Sequence, residues 1–169
     1  LVVTLSNGSS ITIPAGQSSG NVSVAAPSDD VYIDAGSVTV SVTGTSGGNY
    51  ENLQNGSISA TTAITDDSDS TTLNLTGTAS VVEGGSIVYS ASLTNPTGTA
   101  LTITLSNGAV INIAANASTG SVTVAAPSDD AVIDAGSVSV TVASTSGGNY
   151  EQLTVGTGSA GNPVITHST

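Results

Sequence analysis

Two acidic loops carry the residues that are best suited to bind a metal ion. Three aspartates in each loop share the pattern Asp-Asp-x-x-x-Asp: Asp29, Asp30 and Asp34 in the first loop, and Asp129, Asp130 and Asp134 in the second. The chain contains no lysine and no arginine, so no side chain can neutralise these carboxylates as a fixed cation. Dense, hard oxygen ligands in a loop suit Ca²⁺. The pattern therefore predicts calcium as the cofactor of both loops.

A third acidic stretch, residues 65–70, lies between the two copies and holds Asp66, Asp67 and Asp69. It is not an EF-hand, because it lacks the central glycine and the glutamate at the twelfth position. The other acidic residues are Glu83, directly before a Gly-Gly pair, and Glu51 and Glu151, which follow Gly-Gly turns. All 12 carboxylates thus fall in or beside predicted loops. Metal clusters formed where loops meet explain this better than the general tendency of surface loops to collect acidic residues.

Composition excludes several classes of partner. The formal net charge is −12, which argues against nucleic acid and anionic membranes, since both bind basic residues. The sequence has no cysteine, hence no disulfide framework, and no apolar run as long as a membrane helix. These features fit a protein of the bacterial cell surface. Residue 1 falls inside a repeat, so we expect the chain to be part of a longer protein.

An internal repeat of about 100 residues organises the chain. Leu5–Gly8 recurs at 105–108, and Thr45–Glu51 recurs at 145–151. We therefore predict three segments, namely residues 1–66 as the last two-thirds of one repeat, 67–70 as an acidic linker and 71–169 as a complete repeat. The counterpart of 71–100, with the first two strands, would precede Leu1. We expect the first copy to fray or to borrow strands from another chain.

Period-two patterning predicts an all-β fold. Apolar residues alternate with Ser, Thr and other outward residues through 87–94 and 101–106, and no stretch shows helical periodicity. Asn107-Gly108 predicts a two-residue hairpin turn. Seven or eight short strands in about 100 residues favour tandem immunoglobulin-like, Greek-key β-sandwiches. Tyr50 and Tyr150 could then form the tyrosine corner of each sandwich.

The complete pattern resembles a known family. Glu-Gly-Gly at 83–85, the Asp-Asp-x-x-x-Asp loop, Gly-Gly-Asn-Tyr-Glu at 147–151 and an Asp-rich exit look like the Calx-β calcium-binding sandwich, which is cadherin-like in architecture. The repeat as a whole more closely resembles the tandem extender repeats of large bacterial RTX-type adhesins, including biofilm and ice-binding adhesins. This resemblance implies extracellular modules, rigidified by Ca²⁺, that contact neighbouring repeats of the same chain and hold an adhesive tip away from the cell.

The resemblance also implies a ligand set. In the second copy the ligands are Glu83, Asp129, Asp130 and Asp134, and in the first copy they are Asp29, Asp30 and Asp34, with Asp66, Asp67 and Asp69 at the exit. The chain departs from the pattern in two places. The first copy lacks a counterpart of Glu83, and residues 164–169 of the second copy replace the aspartate-rich exit.

Enzymatic alternatives have little support in the sequence. His167 is the only histidine and has no cysteine near it, which is typical of an exposed linker residue rather than a zinc ligand or general base. A glycosidase could formally pair Glu83 with Asp129, but the chain has no tryptophan to stack on sugars. We expect no catalysis. Two other classes stay open, a ligand-binding adhesin module and a subunit of a self-assembling fibre completed by strand exchange with another copy.

Overall fold

The computed structural model describes residues 1–56, 58–130, 132, 136–156 and 163–166. Asp134 and His167 lie outside the described residues. The chain forms two units. Unit 1 comprises Leu1–Asp29 and Asp34–Asp66, and unit 2 comprises Asp30–Ile33 and Asp67–Thr169. Four residues of the first acidic loop thus belong to unit 2.

Unit 1 contains one antiparallel sheet. Its strands are β1 (Val2–Leu5), β2 (Ser10–Thr12), β3 (Gly36–Ser46) and β4 (Ser59–Ile64). They pair in the order β2-β1-β3-β4. The alternation of Val, Ile and Leu with Ser and Thr places apolar side chains on one face of this sheet.

Unit 2 contains ten strands within the described residues. They are β5 (Ser70–Gly77), β6 (Ser80–Val82), β7 (Ser86–Leu93), β8 (Leu101–Leu105), β9 (Val110–Ile113), β10 (Thr119–Ala125), β11 (Gly136–Ser137), β12 (Val142–Gly147), β13 (Gln152–Val155) and β14 (Val164–Thr166). They form three sheets, with the orders β10-β7-β5-β13, β11-β14-β6 and β12-β8-β9. The β13–β5 and β14–β6 pairs are parallel and the others are antiparallel.

Alternation along the strands of unit 2 builds its core. Every second residue of β7 and β8 is buried, while the residues between them face outward. The buried side chains form one cluster, which includes Leu73, Leu75, Ile87, Tyr89, Ala91, Leu93, Leu101, Ile103, Leu105, Ile111, Ile113, Val140, Tyr150 and Ile165. All members of this cluster belong to unit 2, and none of the described residues of unit 1 is fully buried.

The prediction of an all-β fold is confirmed, since the described residues form strands and several sheets without a helix. The same residues hold no helix long and apolar enough to span a membrane. The predicted two-residue turn at Asn107-Gly108 is wrong in detail. Leu105 N–H donates to Ala109 O, and Gly108 N–H donates to Leu105 O. The loop therefore has three residues, with positive φ at Gly108 (82°) rather than at Asn107.

Candidate metal sites

Two parallel strands bring acidic residues together at one end of unit 2. Gln152 of β13 pairs with Ser70 of β5, so both strands begin at the same edge. The residues that precede them, Asp69 and Glu151, are therefore neighbours. The backbone N–H of Asp69 donates a hydrogen bond of 2.6 Å to Oε2 of Glu151. The register of a parallel pair thus fixes this acidic edge, which consists of Asp67, Asp69 and Glu151.

The carboxylate of Asp67 also reaches this edge. One of its oxygens lies within 4.8 Å of a Glu151 carboxylate oxygen. Sequence reasoning placed Asp67 and Asp69 in a linker and left Glu151 out of the ligand set. The signal that could have found Glu151 is its position directly before an apolar-alternating segment, Leu153 and Val155, which predicts a strand start.

The opposite end of unit 2 holds Glu83 and the loop of Asp129. β7 runs antiparallel to both β5 and β10, so Ser86 and Ala125 lie together at the far end of the sheet. The glycines after Glu83 bond to the acidic loop, because Gly84 N–H donates to Pro127 O (2.7 Å) and Ala126 N–H donates to Gly85 O (2.9 Å). These bonds place the turn after Glu83 against the segment that leads to Asp129.

The packing at Gly84 shows how close that approach is. A Cβ atom on Gly84 would lie 3.9 Å from both Cβ and N of Asp129. Gly84 has a φ of 71°, a conformation that suits glycine. Glu83 itself is 7% exposed, whereas Asp129 is exposed.

The second aspartate of each loop makes a local hydrogen bond. Oδ1 of Asp30 accepts from Tyr32 N–H at 2.8 Å, and Oδ1 of Asp130 accepts from Val132 N–H at 2.7 Å. Both are Asx turns, in which the side chain folds back on the backbone two residues further on. Each carboxylate keeps its second oxygen for other partners, so the turn orders the loop without using up the donor set.

In unit 1 the strand pair β3–β4 positions two of the predicted ligands. Gly36 pairs with Ile64, and two residues beyond that pair the backbone N–H of Asp34 donates to Oδ2 of Asp66 at 3.1 Å. Asp29 is an exposed residue of the same unit.

The ten predicted ligands therefore do not form one cluster. Asp67 and Asp69 lie at one end of β5, and Glu83 lies beyond its other end, with the eight residues of β5 spanning roughly 25 Å between them. One ion therefore cannot contact both Asp67 and Glu83 of unit 2. Asp134 lies outside the described residues, and its role stays a prediction.

The segment Asp30–Ile33 lies next to the acidic edge. Glu151 N–H donates to Val31 O, and Ile33 N–H donates to Asn149 O. The side-chain amide of Asn149 returns a bond of 3.1 Å to Ile33 O. These bonds hold the segment beside Glu151, and Tyr32 forms an isolated antiparallel β-bridge with Tyr150.

The donor set of the acidic edge fits calcium. Carboxylate oxygens within 4.8 Å of each other can share one ion, because Ca–O distances of about 2.3–2.6 Å allow ligand separations of up to about 5 Å. Asp67 and Glu151 would hold the ion, which would supply positive charge and cross-link the starts of two strands. No lysine or arginine exists in the chain to do this instead.

Together these features define an all-β protein built from repeats, with carboxylates gathered at the ends of its strands. The chain belongs to the LapA domain family, which matches residues 1–67 and 69–166. This family assigns it a role related to large adhesins, in adhesion and biofilm formation at the cell surface. No curated protein and no solved structure matches the chain.

Proposed function

We propose that this chain is a calcium-rigidified extender segment of an extracellular, RTX-type bacterial adhesin, with no catalytic role of its own. Each repeat would be an immunoglobulin-like, Greek-key sandwich of the Calx-β or cadherin-like kind. Its partners would be neighbouring repeats of the same chain.

The observation that carries the proposal is the placement of carboxylates at the two ends of unit 2. Asp67, Asp69 and Glu151 gather where β5 and β13 begin, while Glu83 and the loop of Asp129 meet at the opposite end. An extender must transmit force from one end to the other. Ions bound at both ends would tie the strand termini together where fraying starts.

Electrostatic repulsion between the carboxylates also favours a calcium-binding role. In a chain of net charge −12 without lysine or arginine, clustered carboxylates repel one another at neutral pH. A divalent cation relieves this repulsion and adds direct bonds. Calcium suits the sites better than magnesium, because it accepts many oxygens in flexible geometry, whereas magnesium demands a near-ideal octahedron and keeps its waters.

Thermal unfolding tests the role of calcium. The melting temperature should rise with Ca²⁺ concentration, and at a hundredfold excess over Kd the gain should be about 2.7 kcal/mol. Mg²⁺ at the same ionic strength is the matched control and should give a smaller rise. Equal melting temperatures in calcium and in chelator would contradict the proposal.

Small-angle scattering tests the extender role separately. The maximum dimension of the chain should be well defined in calcium and should broaden in chelator, because repulsion between carboxylates then favours flexible joining. If calcium stabilises the chain but the scattering profiles are indistinguishable, calcium acts only within a repeat and the extender role loses its support.

A further inference from the structure

An apolar groove crosses unit 1. Its volume is about 460 Å³, and its lining includes Leu5, Ile11, Val22, Val24, Val38 and Val40. Val22 is 38% exposed and Val24 is 50% exposed. None of the described residues that line the groove is charged. Such a continuous apolar surface calls for a covering element.

In unit 2, the residues that correspond to the groove lining are covered by other strands. The counterparts of Leu5, Ile11 and Val40 at an offset of 100 are Leu105, Ile111 and Val140, each at most 1% exposed. They are buried with the side chains of β5 and β7, which include Leu73, Leu75, Ile87, Tyr89, Ala91 and Leu93. In unit 1 the corresponding positions are only partly buried.

Strand pairing in unit 1 is a second, independent observation that indicates the same covering element, a pair of strands like β5 and β7. In unit 2, β10 pairs with β7 and β13 pairs with β5. The counterparts of β10 and β13 in unit 1 are residues 19–25 and 52–55, and neither segment forms a strand. The pairs that need neither β5 nor β7 are retained, since β1–β2 and β1–β3 repeat the register of β8–β9 and β8–β12.

We propose that the groove of unit 1 is an acceptor site for the first two strands of a repeat, a polypeptide segment with the sequence pattern of residues 70–93. The segment is uncharged except at Glu83 and presents apolar residues at every second position along β5 and β7. Its second strand would pair with residues 19–25 and its first with residues 52–55. Its apolar face would bury Val22 and Val24.

A peptide of residues 70–95, labelled with a fluorophore, tests the site on the full chain. We expect saturable binding, and amide-exchange protection should appear in residues 19–25 and 52–55. A control peptide with Ile87→Ser, Tyr89→Ser and Leu93→Ser keeps the length and removes the apolar face. Equal binding of both peptides would overturn the proposal.

Two substitutions in the chain make a matched pair. Val24→Asp places a charge on the groove face and should weaken peptide binding at least about tenfold, because the peptide would bury that charge without a partner. Ser23→Asp adds the same charge on the other face, as its exposed counterpart Thr123 beside half-buried Val124 shows in unit 2. It should leave binding unchanged. Both sites are exposed in unit 1, so neither change threatens folding.

A longer variant of the protein tests the same site without depending on the solubility of the peptide. It carries an added copy of residues 70–100 directly before Leu1, which reproduces the junction between Ala100 and Leu101. Protection of residues 19–25 should then rise to that of 119–125. Unchanged protection would overturn the proposal. So would a dimer of the original chain that already shows this protection, because a second copy would then be the occupant.

Discussion

The rings of Tyr32 and Tyr150 stack on each other in unit 2, with centroids 5.9 Å apart and planes inclined by 28°. Their hydroxyls donate to adjacent carbonyls, Tyr32 to Pro96 O (2.7 Å) and Tyr150 to Asn95 O (2.9 Å). Tyr150 is 6% exposed, but its hydroxyl bonds to a carbonyl 55 residues earlier in the chain. A tyrosine corner bonds to the backbone only a few residues upstream, so the predicted tyrosine corner is wrong in this bond. Tyr50, the counterpart of Tyr150, is 57% exposed.

Removing the ring of Tyr32 should destabilise unit 2. Tyr32→Ala loses the aromatic pair, worth about 0.5–1.5 kcal/mol beyond the buried area, and the bond to Pro96 O, worth about 1 kcal/mol. Tyr32→Phe should lose only the second contribution. The measurement is chemical unfolding followed by amide exchange at residues 148–151. Tyr50→Ala, at an exposed ring, is the control and should change little; an equal effect of both alanine variants would contradict the assignment.

Glu151→Gln should weaken calcium binding strongly, although Glu151 was not among the ligands predicted from the sequence. Its carboxylate accepts from Asp69 N–H and lies within 4.8 Å of an Asp67 oxygen, so it is central to the acidic edge. We expect at least about a tenfold loss of affinity at that site, as for other groups that hold a metal in place. Calorimetric titration measures it, and Glu51→Gln is the matched control in unit 1. Unchanged affinity in Glu151→Gln would remove this edge from the calcium sites.

Asp130→Asn separates ligand chemistry from loop structure. The amide oxygen of asparagine can still accept from Val132 N–H, so the turn should persist. Calcium affinity at the loop should nevertheless fall, because a neutral oxygen binds the cation less strongly. Asp129→Asn should act in the same direction. Calorimetry with unchanged stoichiometry and affinity in Asp130→Asn would exclude this residue as a ligand, while loss of amide protection at Val132 would show a structural effect instead.

Tyr89→Phe should stabilise unit 2 or leave it unchanged. Tyr89 is fully buried in the core, and within the described residues its Oη atom has no hydrogen-bond partner. Removing an unsatisfied hydroxyl recovers a desolvation cost of about 1–3 kcal/mol, less the packing lost with the oxygen. Chemical unfolding measures the change. Tyr150→Phe is the matched control and should destabilise, because that hydroxyl donates to Asn95 O.

Alkaline pH should unfold the chain through two tyrosines. Burial raises the pKa of Tyr89, and burial together with the nearby Tyr32 raises the pKa of Tyr150 above the ordinary value of 10.0. The folded state therefore favours the neutral phenols. Their contribution to stability is complete below pH 10 and declines as the pH rises through the folded-state pKa values. Absorbance at the phenolate band, recorded with circular dichroism, should show their ionisation together with unfolding, and Tyr89→Phe should shift that transition to higher pH.

The all-β class, the repeat and the alternation that builds the core could all be predicted from the sequence. These properties are local, since side chains alternate faces along any strand and a repeat is visible as letters. The proximity of Glu83 to the loop of Asp129 was also predictable from the family pattern. Turn details were less accessible, because Asn-Gly fits both a two-residue turn and the three-residue loop found at Ser106–Gly108.

Which carboxylates lie close together depends on how the strands pair in three dimensions. The parallel register of β13 on β5 places Glu151 beside Asp67 and Asp69, and no local signal encodes the pairing of strands about 80 residues apart. The length of β5 separates Asp69 from Glu83. The burial of core residues also depends on tertiary packing. Leu5 and Leu105 are the same residue in the same local sequence, yet only Leu105 is buried, because β5 and β7 pack in the core of unit 2.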